Sequence, residues 1–175
     1  QQVSSAASDV YKRQFWYFAL KSNFYILSSL LILITACGQE SVLKVNLEKS
    51  ERFLEANLLN TNVIKIEPGL QYKVLESSVD GSISPNLSDI ITADFHGTLI
   101  DGSVFWSSIE IGEPLKIQLS QLIPGCQKAI DLMQEGDTWR VFIHPDLAYG
   151  SEGRPTIPPN STLIFDISLH LVEKS

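Results

Sequence analysis

Apolar residues recur at every second position in five stretches between residue 67 and the C-terminus. The pattern is clearest at residues 91–99 and 163–171, where every second residue is apolar or glycine. The three shorter stretches are residues 70–74, 115–119 and 139–143. Strict alternation is typical of antiparallel strands that cover a core with one face. The sequence therefore predicts five antiparallel strands.

A helix is predicted between the third and fourth of these strands. Pro124 suits the first turn of a helix, where a backbone N–H is not needed, and Gly136 suits a left-handed cap at its end. The apolar residues between them are Ala129, Ile130, Leu132 and Met133. We predict a helix of about ten residues that covers one face of the sheet, and hence an α+β domain.

A second helix is predicted from Asn46 to Asn60, before the strands begin. The apolar residues that recur at helical spacing within it are Leu47, Phe53, Leu54 and Leu58. Asn46 is a suitable N-cap, and either Asn57 or Asn60 can end the helix. The helix is either a spacer with an incidental apolar face or a dimerisation element, and the sequence leaves both interpretations open.

The N-terminal part of the chain has the order of features of a bacterial lipoprotein signal. Basic residues precede an apolar run at residues 24–36, which is shorter than the ~20 residues of a membrane span and suits the core of a signal peptide. The run ends at Ala36-Cys37-Gly38, which resembles a lipobox, in which the cysteine receives diacylglycerol before cleavage. We predict a signal peptide at residues 1–36 and lipid attachment at Cys37, and Gly38 favours the outer membrane.

Two other interpretations of this segment stay open. Cys37 can be an incidental thiol, and residues 15–36 can be an uncleaved membrane anchor. Residues 1–14 match no signal-peptide region and resemble translated adapter sequence, so we expect them to be non-native. Residues 37–66 would hold the lipid anchor, a linker and the short helix, and residues 67–175 the folded domain.

Composition narrows the chemistry that is available to the chain. It has 175 residues, a net charge of −7, three histidines and two cysteines, which suits one domain and an additional segment. Because no run of basic residues is present, we predict no nucleic-acid partner. The histidines and cysteines have no metal-ligand spacing, so we predict no metal, and nothing in the pattern calls for a cofactor.

Four motifs in a fixed order resemble those of one protein family. They are Leu-Ile-Asp-Gly-Ser-Val-Phe (99–105), Ile-Pro-Gly (123–125), His-Pro-Asp-Leu-Ala-Tyr-Gly (144–150) and Ile-Pro-Pro-Asn-Ser-Thr-Leu-Ile-Phe-Asp (157–166). Together they resemble the FKBP-type peptidyl-prolyl cis/trans isomerases. Residues 68–75 resemble the bacterial subgroup related to macrophage infectivity potentiators. The resemblance covers residues 51–172. It implies a curved, five-stranded half-barrel wrapped around the short helix, with an apolar pocket between them.

The resemblance also implies which residues act on a substrate. The backbone N–H of Ile123 and the hydroxyl of Tyr149 would hydrogen-bond the peptide on either side of an X–Pro bond. The residues that would line the pocket and hold the proline ring are Phe105, Leu122, Ile123, Ile157 and Phe165. The remaining pocket residues would be Phe95, Trp106, Leu115 and Cys126. The implied partner is a proline-containing polypeptide.

Four pocket positions depart from the family pattern. Phe95 and Trp106 stand where a Tyr and an Asp of one polar network are common, Cys126 stands where a Trp forms the pocket floor, and Leu115 replaces an aromatic residue. The Tyr and the Asp are lost together, so neither leaves an orphan buried polar group. We expect the departures to affect the catalytic rate and not the fold. Trp106 is either an exposed recognition residue or a wall of the pocket.

Other chemistry is less favoured by the same residues. Cys126 is interpreted as a small buried hydrophobe in preference to a reactive thiol. Asp94, Asp101 and Asp146 are interpreted as residues of turns or outer strand faces in preference to general acids or bases.

The sequence thus predicts a peptidyl-prolyl cis/trans isomerase that assists the folding of exported proteins. It would be anchored by lipid at the bacterial cell envelope and face the periplasm. The alternative is a catalytically weak module of the same fold that binds polypeptides as a chaperone. The oligomeric state stays open.

Overall fold

The computed structural model describes residues 40–79 and 82–175. Residues 43–175 form a compact unit that contains every strand of the described part. Cys37 and the predicted signal peptide lie outside the described residues. Within the described ranges, none of the helices has the length and apolar character needed to cross a lipid bilayer.

The domain is one antiparallel sheet of seven strands with short helices. The first helix, α1, includes residues 40–57. The elements that follow are β1 (Ile64–Glu67), β2 (Leu70–Glu76), β3 (Ile90–Leu99), β4 (Val104–Ser107), α2 (Ser108–Ile111), β5 (Leu115–Gln118), α3 (Pro124–Ile130), β6 (Thr138–Ile143) and β7 (Leu163–Glu173). The sheet order is β1-β2-β6-β7-β3-β4, and β5 also pairs with β3. The predicted α+β class with an antiparallel sheet is confirmed.

Two short strands, β1 and β4, were not predicted, so the sheet has seven strands and not five. β1 pairs with β2 across a tight turn in which Gly69 has a φ of +83°. β4 pairs with the second half of β3. Each has four residues, and neither has the alternation of buried and exposed positions that marks the longer strands. Hydrogen bonds to a neighbouring strand keep these strands in the sheet, and neither strand buries one whole face. The sequence of such a strand has no alternation of apolar and polar residues.

The core lies between the sheet and α3. Burial alternates residue by residue along β3 and along residues 163–169 of β7, as the sequence predicted. α3 packs closely on β6, because an ideal Cβ placed on Gly125 would lie 2.4 Å from Cγ2 of Ile143. The rest of the helix face that meets the sheet consists of Cys126, Ala129 and Ile130.

α3 is shorter than predicted, and Gly136 is not its cap. The helix ends at Ile130, and the capping residue Asp131 has a right-handed conformation. Gly136, with a φ of +97°, lies in the turn before β6 and donates its N–H to the Leu169 carbonyl oxygen at 2.7 Å. The buried Asp137 carboxylate accepts the N–H of Gln134 at 2.8 Å, which fixes a turn where the sequence pattern predicted more helix.

Residues 43–57 of α1 pack against the domain. Asn46 is not the N-cap, because it lies within the helix and donates its side-chain N–H to the Pro159 carbonyl oxygen at 2.9 Å. The buried Ser50 hydroxyl donates to the Asn160 carbonyl oxygen at 2.8 Å and accepts the Thr162 N–H at 2.9 Å. The helix ends at Asn57, one of the two predicted ends. Part of the apolar face also packs on the domain, because Leu54 is buried and the ring centroids of Phe53 and Phe142 lie 6.1 Å apart.

Candidate active site

A cavity of about 370 Å³ lies between the sheet, α3 and the loop that precedes β7. All ten pocket residues named from the sequence line this cavity. They come from four strands, one helix and two connecting segments: Phe95 (β3), Phe105 and Trp106 (β4), Leu115 (β5), Leu122 and Ile123 (before α3), Cys126 (α3), Tyr149 and Ile157 (loop), and Phe165 (β7). The fold thus brings together residues that are far apart in the sequence.

The cavity lining also includes three residues that were not predicted from the sequence: Gln121, Arg154 and Thr156. Each lies within a few residues of a motif residue. Gln121 stands two residues before Ile123, and the other two belong to the loop of residues 149–159. The glycines and prolines of that loop were the available signal for its role.

Three phenylalanine rings form the aromatic wall. Phe165 packs edge-to-face against Phe105, with ring centroids 5.3 Å apart, and against Phe95, with centroids 6.1 Å apart. Edge-to-face pairs of this kind add about 0.5–1.5 kcal/mol beyond the burial of their area. Gly97 lies against this group, because an ideal Cβ on it would lie 2.5 Å from Phe105 Cζ and 2.9 Å from Phe165 Cε1.

Trp106 is a wall of the cavity and is half-buried. Its ring centroid lies 6.3 Å from that of Phe95, with the planes tilted by 57°. The indole therefore stands beside the phenylalanine cluster, and the cavity remains open. This selects one of the two interpretations that the sequence left open for Trp106.

The start of α3 presents a backbone donor at the cavity. Ile123 precedes the helix with an extended backbone, and its carbonyl oxygen accepts the Gln127 N–H at 3.1 Å. The Gln127 side-chain amide also donates to the Leu122 carbonyl oxygen at 2.6 Å, which fixes this segment. In the part of the chain that the structure describes, no hydrogen bond from the Ile123 N–H is found. Ile123 is also one of the residues that line the cavity.

Cys126 forms the floor of the cavity. It is buried, and desolvation raises the pKa of its thiol to about 12. A thiol with that pKa is neutral at physiological pH, whereas a nucleophilic cysteine needs the thiolate. This favours the interpretation of Cys126 as a small buried hydrophobe that lines the cavity.

The three aspartates considered from the sequence do not line the cavity. Hydrogen bonds from the Ser108 hydroxyl and then from His170 hold the pKa of Asp94 below its usual value, and hydrogen bonds from Ser103 do the same for Asp101. Asp146 lies in an exposed turn, 3.5 Å from Nδ1 of His144. Asp94 is therefore a carboxylate on an outer strand face, and Asp101 is a carboxylate in a turn.

The cavity lining consists of neutral side chains, except for one arginine. Across residues 40–79 and 82–175, no cluster of three or more His, Cys, Asp or Glu side chains is placed to hold a metal ion. The cavity thus offers a largely apolar enclosure with the polar side chains of Gln121, Tyr149 and Thr156 and the guanidinium of Arg154. Such a lining suits noncovalent binding of a ligand that is mostly apolar.

Sequence comparison relates the chain to known proteins. The family described as FKBP-type peptidyl-prolyl cis-trans isomerase matches residues 81–170. The chain is 45% identical over 132 residues to the outer membrane protein MIP of Legionella longbeachae, covering 74% of this chain and 55% of that protein. It is 42% identical over 130 residues to the peptidyl-prolyl cis-trans isomerase Mip of Coxiella burnetii, covering 74% and 56%.

Structure comparison agrees with these relationships. The crystal structure of FkpA from Escherichia coli superimposes with a TM-score of 0.78 and 32% sequence identity, covering 88% of this chain and 71% of that one. The chain spans about half the length of the curated relatives it matches.

Proposed function

Because the chain belongs to the FKBP-type peptidyl-prolyl cis-trans isomerase family, we propose that it catalyses cis/trans isomerisation of X–Pro bonds in polypeptides. The observation that carries this proposal is the apolar cavity of about 370 Å³ in which all ten pocket residues named from the sequence converge. A cavity of this size suits a proline ring together with part of its neighbours.

The reaction needs no bond to be broken. Amide resonance gives rotation about the X–Pro bond a barrier of ~18–20 kcal/mol, while the cis and trans forms differ by only ~0.5–1 kcal/mol. In the planar amide the carbonyl is polar and well hydrated, whereas in the twisted amide resonance is lost and the charge separation falls. An apolar enclosure withholds the water that stabilises the planar form, so it favours the twisted form selectively.

Each part of the cavity has a role in this mechanism. The rings of Phe95, Phe105 and Phe165 pack edge-to-face on one another, and the wall that they form holds the proline ring. The Ile123 N–H and the Tyr149 hydroxyl donate to peptide carbonyls on either side of the bond, which anchors the two halves of the substrate while the bond turns. Rotation is then imposed on the X–Pro bond and not on the whole peptide.

We expect Tyr149→Phe to lower kcat/KM for X–Pro peptides about fivefold, because it removes one neutral hydrogen bond worth about 1 kcal/mol. The rate is measured by exchange spectroscopy on proline tetrapeptides, which needs no coupling protease. The matched control is Tyr72→Phe, because Tyr72 stacks on Trp139 at 4.1 Å and does not line the cavity. Absence of acceleration by the unmodified chain would contradict the proposed activity.

A second candidate function is polypeptide binding with little catalysis. Three cavity residues depart from the family pattern, which commonly has a Tyr, an Asp and a Trp at these positions. They are Phe95, Trp106 and Cys126, in that order. A floor as small as Cys126 holds the proline ring less tightly. Peptide titration separates the two candidates, since a binding module would retain peptide affinity in the same samples that fail to accelerate isomerisation.

We also propose that the protein acts at the bacterial cell envelope, attached through a lipid at Cys37 and facing the periplasm, where it assists the folding of exported proteins. The order of basic residues, apolar run and cysteine supports this location, and one relative is named an outer membrane protein. Mass spectrometry of membrane-fractionated protein tests it. A diacylglyceryl group on an N-terminal Cys37 is expected, and an intact segment at residues 24–36 would contradict it.

A further inference from the structure

One charged side chain lines the candidate active site. Among the thirteen residues around the cavity, Arg154 alone carries a charge at neutral pH, and the others are apolar or neutral polar. Arg154 is exposed, so its guanidinium remains hydrated at the rim of the cavity, and its contacts with neighbouring side chains indicate its role.

Arg154 has no acidic partner among the described residues. None of the ion pairs formed between described side chains includes it. Its guanidinium carbon lies instead 4.8 Å from the centroid of the Tyr149 ring, in a cation–π arrangement. This contact orients the guanidinium without using its five N–H donors.

The backbone of Arg154 is also fixed. Its N–H donates to the Ile157 carbonyl oxygen at 2.8 Å, and its carbonyl oxygen accepts the Ile157 N–H at 2.9 Å. The preceding residue, Gly153, has a φ of +65°, and an ideal Cβ there would lie 2.4 Å from the Ile157 carbonyl oxygen. The loop is therefore closed tightly at this point, which fixes the backbone from which the Arg154 side chain extends towards the Tyr149 ring.

We propose that Arg154 gives the active site a preference for X–Pro substrates with an aspartate or glutamate next to the proline. This inference rests on the proposed function, because it uses Tyr149 as a residue that binds the peptide. A guanidinium 4.8 Å from that ring is within side-chain reach of the residues flanking the reacting bond. The planar fork of N–H donors matches a carboxylate in a bidentate geometry.

The net charge of the chain does not oppose this preference at contact range. The chain carries a formal charge of −7, which repels an acidic peptide at long distance. At physiological ionic strength this repulsion is screened beyond about 8 Å, so distant acidic residues add little to a direct contact between a carboxylate and the exposed Arg154 guanidinium. The local contact therefore decides which peptide is preferred.

The test compares peptide pairs that differ only in charge. Tetrapeptides with Glu, Gln, Ala or Lys directly before or directly after proline are assayed for kcat/KM with the whole chain. We expect Glu to exceed Gln about three- to fivefold on at least one side of the proline, as for an ion pair of about 1 kcal/mol. Arg154→Gln should abolish this ratio, and Arg154→Lys should retain part of it.

The matched control is Arg52→Gln, which changes the net charge by the same amount at an exposed arginine on α1 that does not line the cavity. It should leave the Glu-to-Gln ratio unchanged. Equal rates for Glu and Gln peptides on both sides, or a ratio that survives Arg154→Gln, would overturn the inference even if Ala peptides are isomerised. If no peptide is accelerated, the proposed function is wrong, and the Kd ratio for the same peptide pairs then decides the role of Arg154 in binding.

Discussion

Replacing Gly97 with alanine should lower kcat/KM for X–Pro peptides by at least about tenfold. Gly97 pairs with Phe165 on β7 and Trp106 on β4, at the centre of the cavity wall. An added Cβ would lie 2.5 Å from Phe105 Cζ and 2.9 Å from Phe165 Cε1, so both rings must move. Displacing catalytic groups by about 1 Å can cost on the order of 10²-fold in rate.

The same substitution should also reduce the free energy of unfolding by about 1–3 kcal/mol, as overpacking of a core does. Val172→Ala is the control, because Val172 is buried at the far end of β7 and does not line the cavity. It should destabilise the domain by a comparable amount while leaving kcat/KM near the wild-type value at a temperature where both variants are folded. A Gly97→Ala variant with wild-type kcat/KM would contradict the importance of the ring positions.

Gly125→Ala should show a strong interaction with residue 143. Its Cβ would meet Ile143 Cγ2 at 2.4 Å, Cδ1 at 3.1 Å and Cγ1 at 3.2 Å, which forces α3 away from β6. We expect a loss of about 1–3 kcal/mol in the free energy of unfolding. Because Ile123 and Cys126 flank this position, kcat/KM should fall as well, by about tenfold.

A double-mutant cycle measured by urea unfolding tests the proposed clash. Ile143→Ala alone should cost about 2–5 kcal/mol, because it leaves a cavity beside Gly125. In that background Gly125→Ala should cost little or be stabilising, since its methyl group occupies the vacated space, which gives an interaction energy above about 1 kcal/mol. Ile143→Val keeps a methyl group at the position of the clash, so it is not expected to restore the stability lost in Gly125→Ala. Additive free energies would exclude the clash as the cause.

The parts of the fold that the sequence predicted are those in which burial and periodicity coincide. β3 and β7 bury every second residue over most of their length, so their alternation was readable. β1 and β4 have four residues each and are held in the sheet by hydrogen bonds to a neighbour. Backbone pairing of that kind leaves no pattern in the side chains.

The ends of the helices were harder to predict because distant side chains decide them. The Asp137 carboxylate accepts the Gln134 N–H and the N–H of Ser78, a contact that brings in a residue far along the chain. Asn46 is a good cap in isolation, yet it lies within α1 because its amide reaches the Pro159 carbonyl oxygen. Tertiary hydrogen bonds therefore overrode local preferences at both sites.

The family resemblance named ten of the thirteen residues that line the cavity. Arg154 and Thr156 line the cavity by virtue of how the loop of residues 149–159 closes. That closure depends on Gly153 and on the backbone bridge between Arg154 and Ile157. Neither the direction of the Arg154 side chain nor its contact with Tyr149 follows from spacing in the sequence.

The place of β7 between β3 and β6 has a consequence for how the domain assembles. Phe95 pairs with Ile167 and Val141 with Phe165, so the central ladders join segments that are distant along the polypeptide. Such non-local topology is associated with folding in milliseconds to seconds. A nascent chain emerging N-terminus first can form the β1–β2 hairpin early, but it lacks Phe165 and the middle of its sheet until residue 163 and beyond have been synthesised. The candidate active site of this proposed folding catalyst is therefore completed only late in the synthesis of the chain.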